Sequence, residues 1–205
     1  MEPRKISELV REKIIWLDYM PESIINLSEL ADFFRVSRTP IKEALIYLQA
    51  DGWVLRQGTH FMVTPLSLDR IKEITEIRSL IEVQANLWAM NRITPEELAA
   101  LDDLEKETLQ IADTSSNKQM IELDVKFHQS LFKAAKNSQL AQLLERMLGH
   151  YLRFWLAIPR EIKPESFFVE TREIIQAIKA KDQVKLRAAS VEHIKRSLDE
   201  IMGTS

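Results

Sequence analysis

The chain contains no cysteine and only four glycines among its 205 residues. The absence of cysteine excludes disulfide scaffolds, thiol nucleophiles, zinc fingers and iron–sulfur clusters. The scarcity of glycine argues against an all-β fold and against a glycine-rich phosphate-binding loop. No hydrophobic run approaches the length of a membrane span, and the first residues do not resemble a signal peptide. We therefore expect a cytoplasmic protein that does not associate with membranes.

The chain also lacks an excess of positive charge. Its 28 Lys and Arg residues are outnumbered by 31 Asp and Glu residues, which gives a net charge of −3. A basic footprint is the usual sign of a nucleic-acid-binding protein, so any such function must depend on a local patch and a motif. Hydrophobic residues make up 45% of the chain, which is enough for a packed core and argues against disorder.

Residues 1–66 begin with three helical patterns. Apolar residues recur at helical spacing over residues 4–18, and a short helix is predicted over residues 28–34. A third helix is predicted to begin at Ser37, with Pro40 in its first turn, where a missing backbone N–H costs nothing.

A strand pattern follows the third helix. Gly52 suits the left-handed residue that ends a helix. Residues 53–57 and 60–63, joined at Gly58-Thr59, then predict a β-hairpin.

Residues 67–205 show helical periodicity throughout. Helix starts are indicated at several positions, including Ser67 and Thr94. Thr94 is predicted to form a capping box with Glu97. We count six helices, which predicts an all-α bundle. The predicted fold is mainly α: three helices and a β-hairpin over residues 1–66, then a bundle of about six helices over residues 67–205.

Two short helices joined by a tight turn and followed by a hairpin form the winged helix-turn-helix arrangement. Its third helix presents its first turn to the major groove of DNA, and its hairpin can reach the adjacent minor groove. Arg38 could bridge two acceptor atoms of a guanine, and Gly58 permits a close approach of the backbone. Between residues 35 and 60, four cations outnumber two carboxylates and give a local positive patch. The cations are Arg35, Arg38, Lys42 and Arg56, and the carboxylates are Glu43 and Asp51. The alternative interpretation is a solvated helix face beside a structural hairpin.

Residues 30–54 resemble the signature of the GntR family of bacterial transcriptional regulators. The matching residues are Leu30-Ala31, Val36 to Leu45, Leu48 and Asp51 to Val54. The resemblance implies that seven residues contact DNA: Ser28, Ser37, Arg38, Thr39, Lys42, Gln57 and Gly58. Arg35, from the positive patch, is a further candidate for DNA contact. Lys42 replaces the arginine usual in the family, and a lysine gives weaker bidentate readout. Ser28 has an equally good alternative role as a plain helix cap.

Two ionisable residues interrupt an apolar stripe in the second domain. Asp124 and His128 lie four residues apart, which places them on one face of a helix. A carboxylate and an imidazole that point into a bundle can bind a metal, and His193 on the last helix is a third candidate ligand. The alternative is a buried, hydrogen-bonded Asp–His pair with an unrelated His193.

Three segments of the second domain resemble the FCD effector domain, which marks the FadR branch of the GntR family. They comprise residues 76–82, 123–140 and 170–193. Many FCD domains bind a divalent metal through one aspartate and three histidines, and the resemblance matches Asp124, His128 and His193 to three of these positions. The fourth is Thr171, a poor ligand, so a water or an effector carboxylate would complete the coordination. The resemblance thus implies one zinc or nickel ion per chain.

Arg78 is a candidate effector ligand. It lies on the apolar side of a predicted helix, and a buried arginine requires a partner. That partner is either Glu82, one turn further along, or an anionic effector that the guanidinium grips with two hydrogen bonds.

Three functions are consistent with these motifs. The first is a repressor that binds a palindromic operator in double-stranded DNA as a homodimer, and whose bundle senses a small carboxylate or sugar acid. The second is a DNA-binding regulator whose bundle only dimerises, without metal or effector, as the departure at Thr171 favours. The third is a metalloenzyme, for which the sequence offers no zinc-protease, serine-hydrolase or phosphate-loop motif. We therefore expect that the protein is not an enzyme.

Overall fold

The computed structural model describes residues 1–111, 115–157, 159 and 162–203. The chain divides into two compact units, Met1–Ser67 and Leu68–Ser205. The predicted domain boundary after residue 66 lies beside this division.

The first unit contains three helices and a small antiparallel sheet. In chain order the elements are α1 (Pro3–Ile15), β1 (Ile24–Ile25), α2 (Leu27–Phe34), α3 (Arg38–Ala50), β2 (Val54–Gln57) and β3 (His60–Val63). Strands β2 and β3 form the predicted hairpin, with Gln57 opposite His60 across a two-residue turn. The sequence did not indicate β1, which pairs with β3 through only two residues and adds a third strand at its far edge.

Local chemistry explains where the helices of this unit begin and end. Helix α1 ends at Ile15, three residues earlier than the periodicity predicts, because the chain turns through Leu17 in a left-handed conformation (φ 61°). The side chain of Asn26 caps α2 by accepting a hydrogen bond from the backbone N–H of Ser28 at 2.9 Å. Ser28 itself therefore lies inside the helix and is not its cap. Arg35 ends α2 with a left-handed backbone (φ 53°).

In the second unit, the described residues form helices and no strand. The helices are α4 (Leu68–Arg92), α5 (Pro95–Gln110), α6 (Asn117–Ala134), α7 (Ser138–Ala157), α8 (Pro164–Phe167), α9 (Val169–Lys179) and α10 (Gln183–Met202). The all-α prediction is therefore correct. The stretch after Pro164 is divided at Phe168 into α8 and α9, so the described residues contain one short helix more than the six that the sequence predicts.

Side-chain caps fix the starts of four of these helices, including α7, where the side chain of Asn137 accepts from the backbone N–H of Leu140 at 3.1 Å. The predicted capping box of Thr94 and Glu97 is present at the start of α5. A second capping box, which was not predicted, joins Ser116 and Gln119 at the start of α6. Asp182 caps α10 through the backbone N–H of Lys185.

Helix α4 is the central element of the second unit and packs against α6, α7, α9 and α10. Polar residues at every fourth position form a buried stripe on this helix: Arg78, Glu82 and Asn86. The amide of Asn86 donates to the hydroxyl of Ser190 on α10 at 3.0 Å. Among the described residues, no helix has both the length and the hydrophobicity of a membrane span.

Candidate DNA-binding and metal sites

Helix α3 separates an apolar face from an exposed polar one. Ile41, Ala44, Leu45 and Leu48 are buried in the core of the first unit. The side chains predicted to contact DNA from this helix, Arg38, Thr39 and Lys42, are all exposed. The helix therefore rests on the core through one face and presents two cations and a hydroxyl on the other.

The residues that flank α3 extend this exposed surface. Ser37 is the N-cap residue, but its side chain makes no capping hydrogen bond, and Arg35 is exposed at the end of α2. Ser28 is half-buried in the first turn of α2. The backbone N–H groups at the start of α3 are suited to a phosphate group, because the first turn of a helix leaves its donors without intrahelical partners.

The hairpin tip supplies the remaining predicted contacts. Gln57 and Gly58 are exposed, and Gly58 has a left-handed backbone (φ 61°) with no heavy atom within 4 Å of the position that a Cβ would occupy. The guanidinium of Arg56 donates to the carbonyl oxygen of Gly58 at 3.2 Å, which braces the turn. The tip can therefore approach a groove closely without a side chain at its apex.

In the second unit, Arg78 forms a buried ion pair with Glu82. Its Nε donates to Oε2 of Glu82 at 2.6 Å, and a terminal nitrogen donates to Oε1 at 3.1 Å. Both side chains are only 1% exposed, and the guanidinium lies 4.4 Å from the centre of the Tyr151 ring. Of the two partners that the sequence left open for Arg78, the structure shows Glu82.

His128 lies at the centre of a polar cluster formed by α4, α6 and α10. Its Nδ1 is 3.2 Å from Oε1 of Glu82, and its Nε2 is 3.5 Å from Oδ2 of Asp124. On the same side as Asp124, Nε2 of His193 approaches Nε2 of His128 to 3.1 Å. Asp124 and His193 thus each approach Nε2 of His128, but Asp124 does not belong to the group of ligand atoms that all lie within 4.8 Å of one another.

Burial shifts the pKa values within this cluster. It lowers the pKa of His193 to about 3, helped by the neighbouring His128, so the ring of His193 is neutral near pH 7. Burial also raises the pKa of Asp124, against the opposing effect of His128 and Arg78. For Glu82, burial alone would raise the pKa, but Arg78 and His128 outweigh it and hold that pKa far below its ordinary value.

These donors fit a divalent metal. Two ligands bonded to one ion at about 2.0–2.1 Å lie roughly 3.0–3.4 Å apart, which is close to both separations measured at Nε2 of His128. A neutral imidazole and a carboxylate are the forms that bind a metal. The set of ligand atoms that all lie within 4.8 Å of one another contains Glu82, His128 and His193 and does not contain Asp124. Glu82 therefore takes the place of the predicted Asp124 in this set.

Sequence reasoning missed the place of Glu82 in this cluster. Its spacing from Arg78 indicated a pair along α4, but no local pattern relates Glu82 to His128 on α6. His150, the remaining histidine of the second unit, does not belong to this group. It lies on α7, where Arg70 approaches its Nε2 at 3.3 Å.

Thr171, which occupies the fourth ligand position implied by the resemblance, is fully buried on α9. Its hydroxyl has no hydrogen-bond partner among the described residues. A buried hydroxyl without a partner costs free energy unless a water or a ligand satisfies it. This position therefore suits a group that brings its own hydrogen-bonding atom, such as a water.

A small cavity of about 30 Å³ adjoins the cluster. Its polar lining includes Arg78, Asp124, His128, His193, Glu170 and Arg196. Arg196 donates to Glu170 at 2.6 Å and to Glu200 at 3.2 Å, so both guanidinium groups of the pocket are already paired with carboxylates. The imidazole groups of His128 and His193 and the carboxylate of Asp124, rather than the guanidinium groups, are therefore the groups with which this pocket could bind a ligand.

Two family descriptions match the chain. Residues 3–60 match "Bacterial regulatory proteins, gntR family", and residues 73–196 match the FCD domain. The first match contains α3 and the start of the hairpin, and the second contains every residue of the polar cluster.

Individual relatives agree with these matches. An uncharacterized HTH-type transcriptional regulator of Bacillus subtilis (strain 168), YdhC, is 30% identical over 193 residues, which cover 89% of this chain and 86% of that protein. The Nta operon transcriptional regulator of Aminobacter aminovorans is 27% identical and covers 90% of this chain and 87% of that protein.

A solved structure, of E. coli McbR/YncC, has the same fold. It superposes with a TM-score of 0.85 at 20% identity, over 98% of this chain and 97% of that chain. The relatives are named as transcriptional regulators and not as enzymes. The chain therefore belongs to the gntR family of bacterial regulatory proteins, and it is a transcriptional regulator with an FCD domain.

Proposed function

We propose that this regulator is a repressor that binds a palindromic operator as a homodimer and senses a small carboxylate or sugar acid through a divalent metal in its FCD domain. The observation that carries the sensing function is the approach of Asp124 and of His193 to Nε2 of His128, beside a pocket. Three protein donors leave room for a ligand from solution, and an anionic effector is suited to that position. Such a protein works in the cytoplasm, where its DNA is, and belongs to the FadR branch.

The first unit supplies DNA recognition in this proposal. Arg38 and Lys42 project from the exposed face of α3 toward the base edges, while Ser37 and Thr39 hold phosphates. Arg35 and Ser28 flank this surface. Gln57 and Gly58 at the hairpin tip reach the minor groove.

The second unit supplies the metal site. Zinc or nickel, the ions that imidazole ligands favour, would be held by Asp124, His128 and His193 and would supply a Lewis-acidic position for a carboxylate. Burial keeps His193 neutral and therefore competent to bind a cation. Because Arg78 is committed to Glu82, we assign effector contact to the metal position first and to Arg78 second.

In one alternative, the protein is a DNA-binding regulator whose second unit senses neither a metal nor an effector. Thr171 reduces the ligand set that the family resemblance implies, and the bundle could then serve dimerisation only. This alternative predicts that no metal and no carboxylate changes operator affinity.

Selection from a random duplex library, followed by quantitative gel-shift titration, tests the proposal. We expect one palindromic site, and we expect its affinity to change when a panel of carboxylates and sugar acids is added to zinc-loaded protein. The same panel should have no effect on chelator-treated protein or on His193→Ala. Site-specific binding that no member of the panel alters under any metal condition would select the dimerisation-only alternative.

A further inference from the structure

The cavity beside His128 and His193 is too small for the effector that the proposed function requires. Its volume is about 30 Å³, and a single buried water needs about 10–15 Å³. The cavity therefore holds no more than a few waters, whereas an organic acid with a carbon skeleton needs more space. Entry of an effector requires that a side chain that lines the cavity moves aside.

The side chains that line the cavity differ in their access to water. The side chains of Arg78, His128 and Glu170 are only 1%, 3% and 7% exposed. On α10, the side chain of Arg196 is 30% exposed and that of Glu200 is 16% exposed. These two side chains come from positions about one helical turn apart, and both line the cavity. Arg196 and Glu200 therefore lie where the cavity meets the solvent.

The guanidinium of Arg196 is held by two carboxylates from different helices. A terminal nitrogen donates to Oε1 of Glu170 on α9 at 2.6 Å, and Nε donates to Oε1 of Glu200 on α10 at 3.2 Å. The pair with Glu200 is the longer and the more exposed of the two. An ion pair in contact with water contributes little to stability, so another carboxylate can replace Glu200 at small cost. Glu200 thus occupies a position that an incoming carboxylate can take.

Arg78, the other guanidinium of the cavity, is held more firmly. It engages both oxygens of Glu82, at 2.6 and 3.1 Å, and both side chains are almost completely buried. Separation of a buried pair leaves a charge without compensation, which costs far more than the exchange of an exposed partner. Arg196 is therefore the more accessible partner for an effector carboxylate.

Arg196 lies one helical turn beyond His193 on α10, and both residues line the cavity. Side chains three residues apart on a helix are neighbours, with about 5–6 Å between their Cβ atoms. The cavity thus offers a metal position beside His193 and a guanidinium one turn away. A molecule with two carboxylates separated by one or two carbon atoms is suited to this spacing.

We propose that Arg196 determines the specificity of the effector site. It binds one carboxylate of a short dicarboxylate in the place of Glu200, while the metal position takes the other carboxylate. Glu170 keeps its hydrogen bond and holds the guanidinium in position. The release of Glu200 opens the cavity toward solvent and provides the space that the effector needs. This inference rests on the metal site of the proposed function and names the class of its effector.

Titration of cobalt(II)-loaded protein with simple acids tests this role, because the visible absorption of cobalt reports a new ligand. The probes are acetate, which has one carboxylate, and malonate and succinate, which have two. We expect at least one dicarboxylate to bind wild type about 10-fold or more tightly than acetate, because it adds a charge-assisted pair with Arg196. Arg196→Gln should lose this preference and keep the affinity for acetate.

Glu200→Gln should change the affinity in the opposite direction, which a merely structural role of Arg196 does not predict. The variant removes the carboxylate that competes for Arg196, so the preferred dicarboxylate should bind more tightly than to wild type. The matched control Glu192→Gln removes an exposed carboxylate about two turns earlier on α10 and should bind all three acids as wild type does. Equal affinities of Glu200→Gln and wild type would contradict the exchange of partners.

Two further results overturn the proposal. One is a wild type that binds acetate and both dicarboxylates equally, and the other is an undiminished preference for a dicarboxylate in Arg196→Gln. If Arg196→Gln does not fold, Arg196→Lys replaces it in the titration. Lysine keeps a positive charge beside Glu170 but lacks the planar fork of donors, so the preference should fall. An unaltered preference in Arg196→Lys contradicts the proposal.

A wild type that binds no cobalt would refute the proposed metal sensing, and metal-free protein then decides the role of Arg196. Trp155 lines the cavity, and its Nε1 donates to the hydroxyl of Ser197, the residue after Arg196, at 3.2 Å. Comparison with Trp155→Phe identifies its fluorescence. Malonate or succinate should change this fluorescence in wild type and not in Arg196→Gln. An equal response of both proteins, or no response of wild type, overturns the role of Arg196.

Discussion

At the scale of single residues, some contacts of the polar cluster around His128 are visible in the sequence and others are not. The spacing of Asp124 and His128 and the pairing of Arg78 with Glu82 are both visible as four-residue repeats, because one helix brings such residues together. The contact between Glu82 and His128 is not visible, because it depends on how α4 and α6 are aligned. Local pairs are therefore predictable, and the junction between them requires the fold.

Arg38 provides the sharpest residue-scale prediction for DNA recognition. Arg38→Ala should weaken binding to the selected operator by about 1–3 kcal/mol and relax the preference at one base pair, because a bidentate base contact is lost. Arg38→Lys keeps the charge and serves as the control: affinity for random DNA should survive while the base preference is lost. An unchanged DNA footprint of Arg38→Ala would contradict the placement of α3 in the major groove.

Thr171 offers two opposite substitutions at one position. Thr171→His should raise zinc affinity in calorimetric titration, because it adds an imidazole where the resemblance implies one. Thr171→Val keeps the shape and removes the hydroxyl that has no partner among the described residues, so the free energy of unfolding should stay equal or rise. No gain in zinc affinity with histidine would show that position 171 does not face the ligands.

At the scale of helices and strands, elements with local signals were predicted and elements without them were not. The hairpin and the capping box at Thr94 are encoded by adjacent residues. Strand β1 consists of two residues that become a strand only through β3, so periodicity could not reveal it. The division between α8 and α9 at Phe168 likewise has no proline or glycine to mark it.

Ser116 tests the importance of a cap that was not predicted. Its hydroxyl accepts from the backbone N–H of Gln119 and begins the helix that carries Asp124 and His128. Ser116→Ala should lower the free energy of unfolding by about 1 kcal/mol in urea titrations. Ser130→Ala removes a mid-helix hydroxyl that donates to the carbonyl of Lys126, and should have a smaller effect. Equal effects would mean that the cap does not stabilise α6.

At the scale of the whole molecule, acid should destabilise the protein through buried histidine. His150 is 6% exposed, and burial together with Arg70, Arg153 and Arg146 lowers its pKa to about 3. The unfolded chain takes up this proton near pH 6.5, whereas the folded chain does not until about pH 3. The stability contributed by the neutral ring is therefore complete above about pH 6.5 and is lost progressively as the pH falls toward 3.

Urea unfolding at neutral pH and at about pH 5 measures this dependence. Wild type should lose stability on acidification, and His150→Asn, which cannot take up the proton, should lose less. Identical pH dependence in the two proteins would contradict the account of His150.

The central claim is that the FCD domain of this regulator holds a divalent metal with three protein ligands. Elemental analysis of tag-free protein, purified without chelator beside His128→Ala, tests it most directly. We predict close to one zinc or nickel ion per wild-type chain and a marked loss in the variant. Wild-type protein without metal, even after dialysis against zinc, would contradict the claim and leave a DNA-binding regulator whose bundle only dimerises.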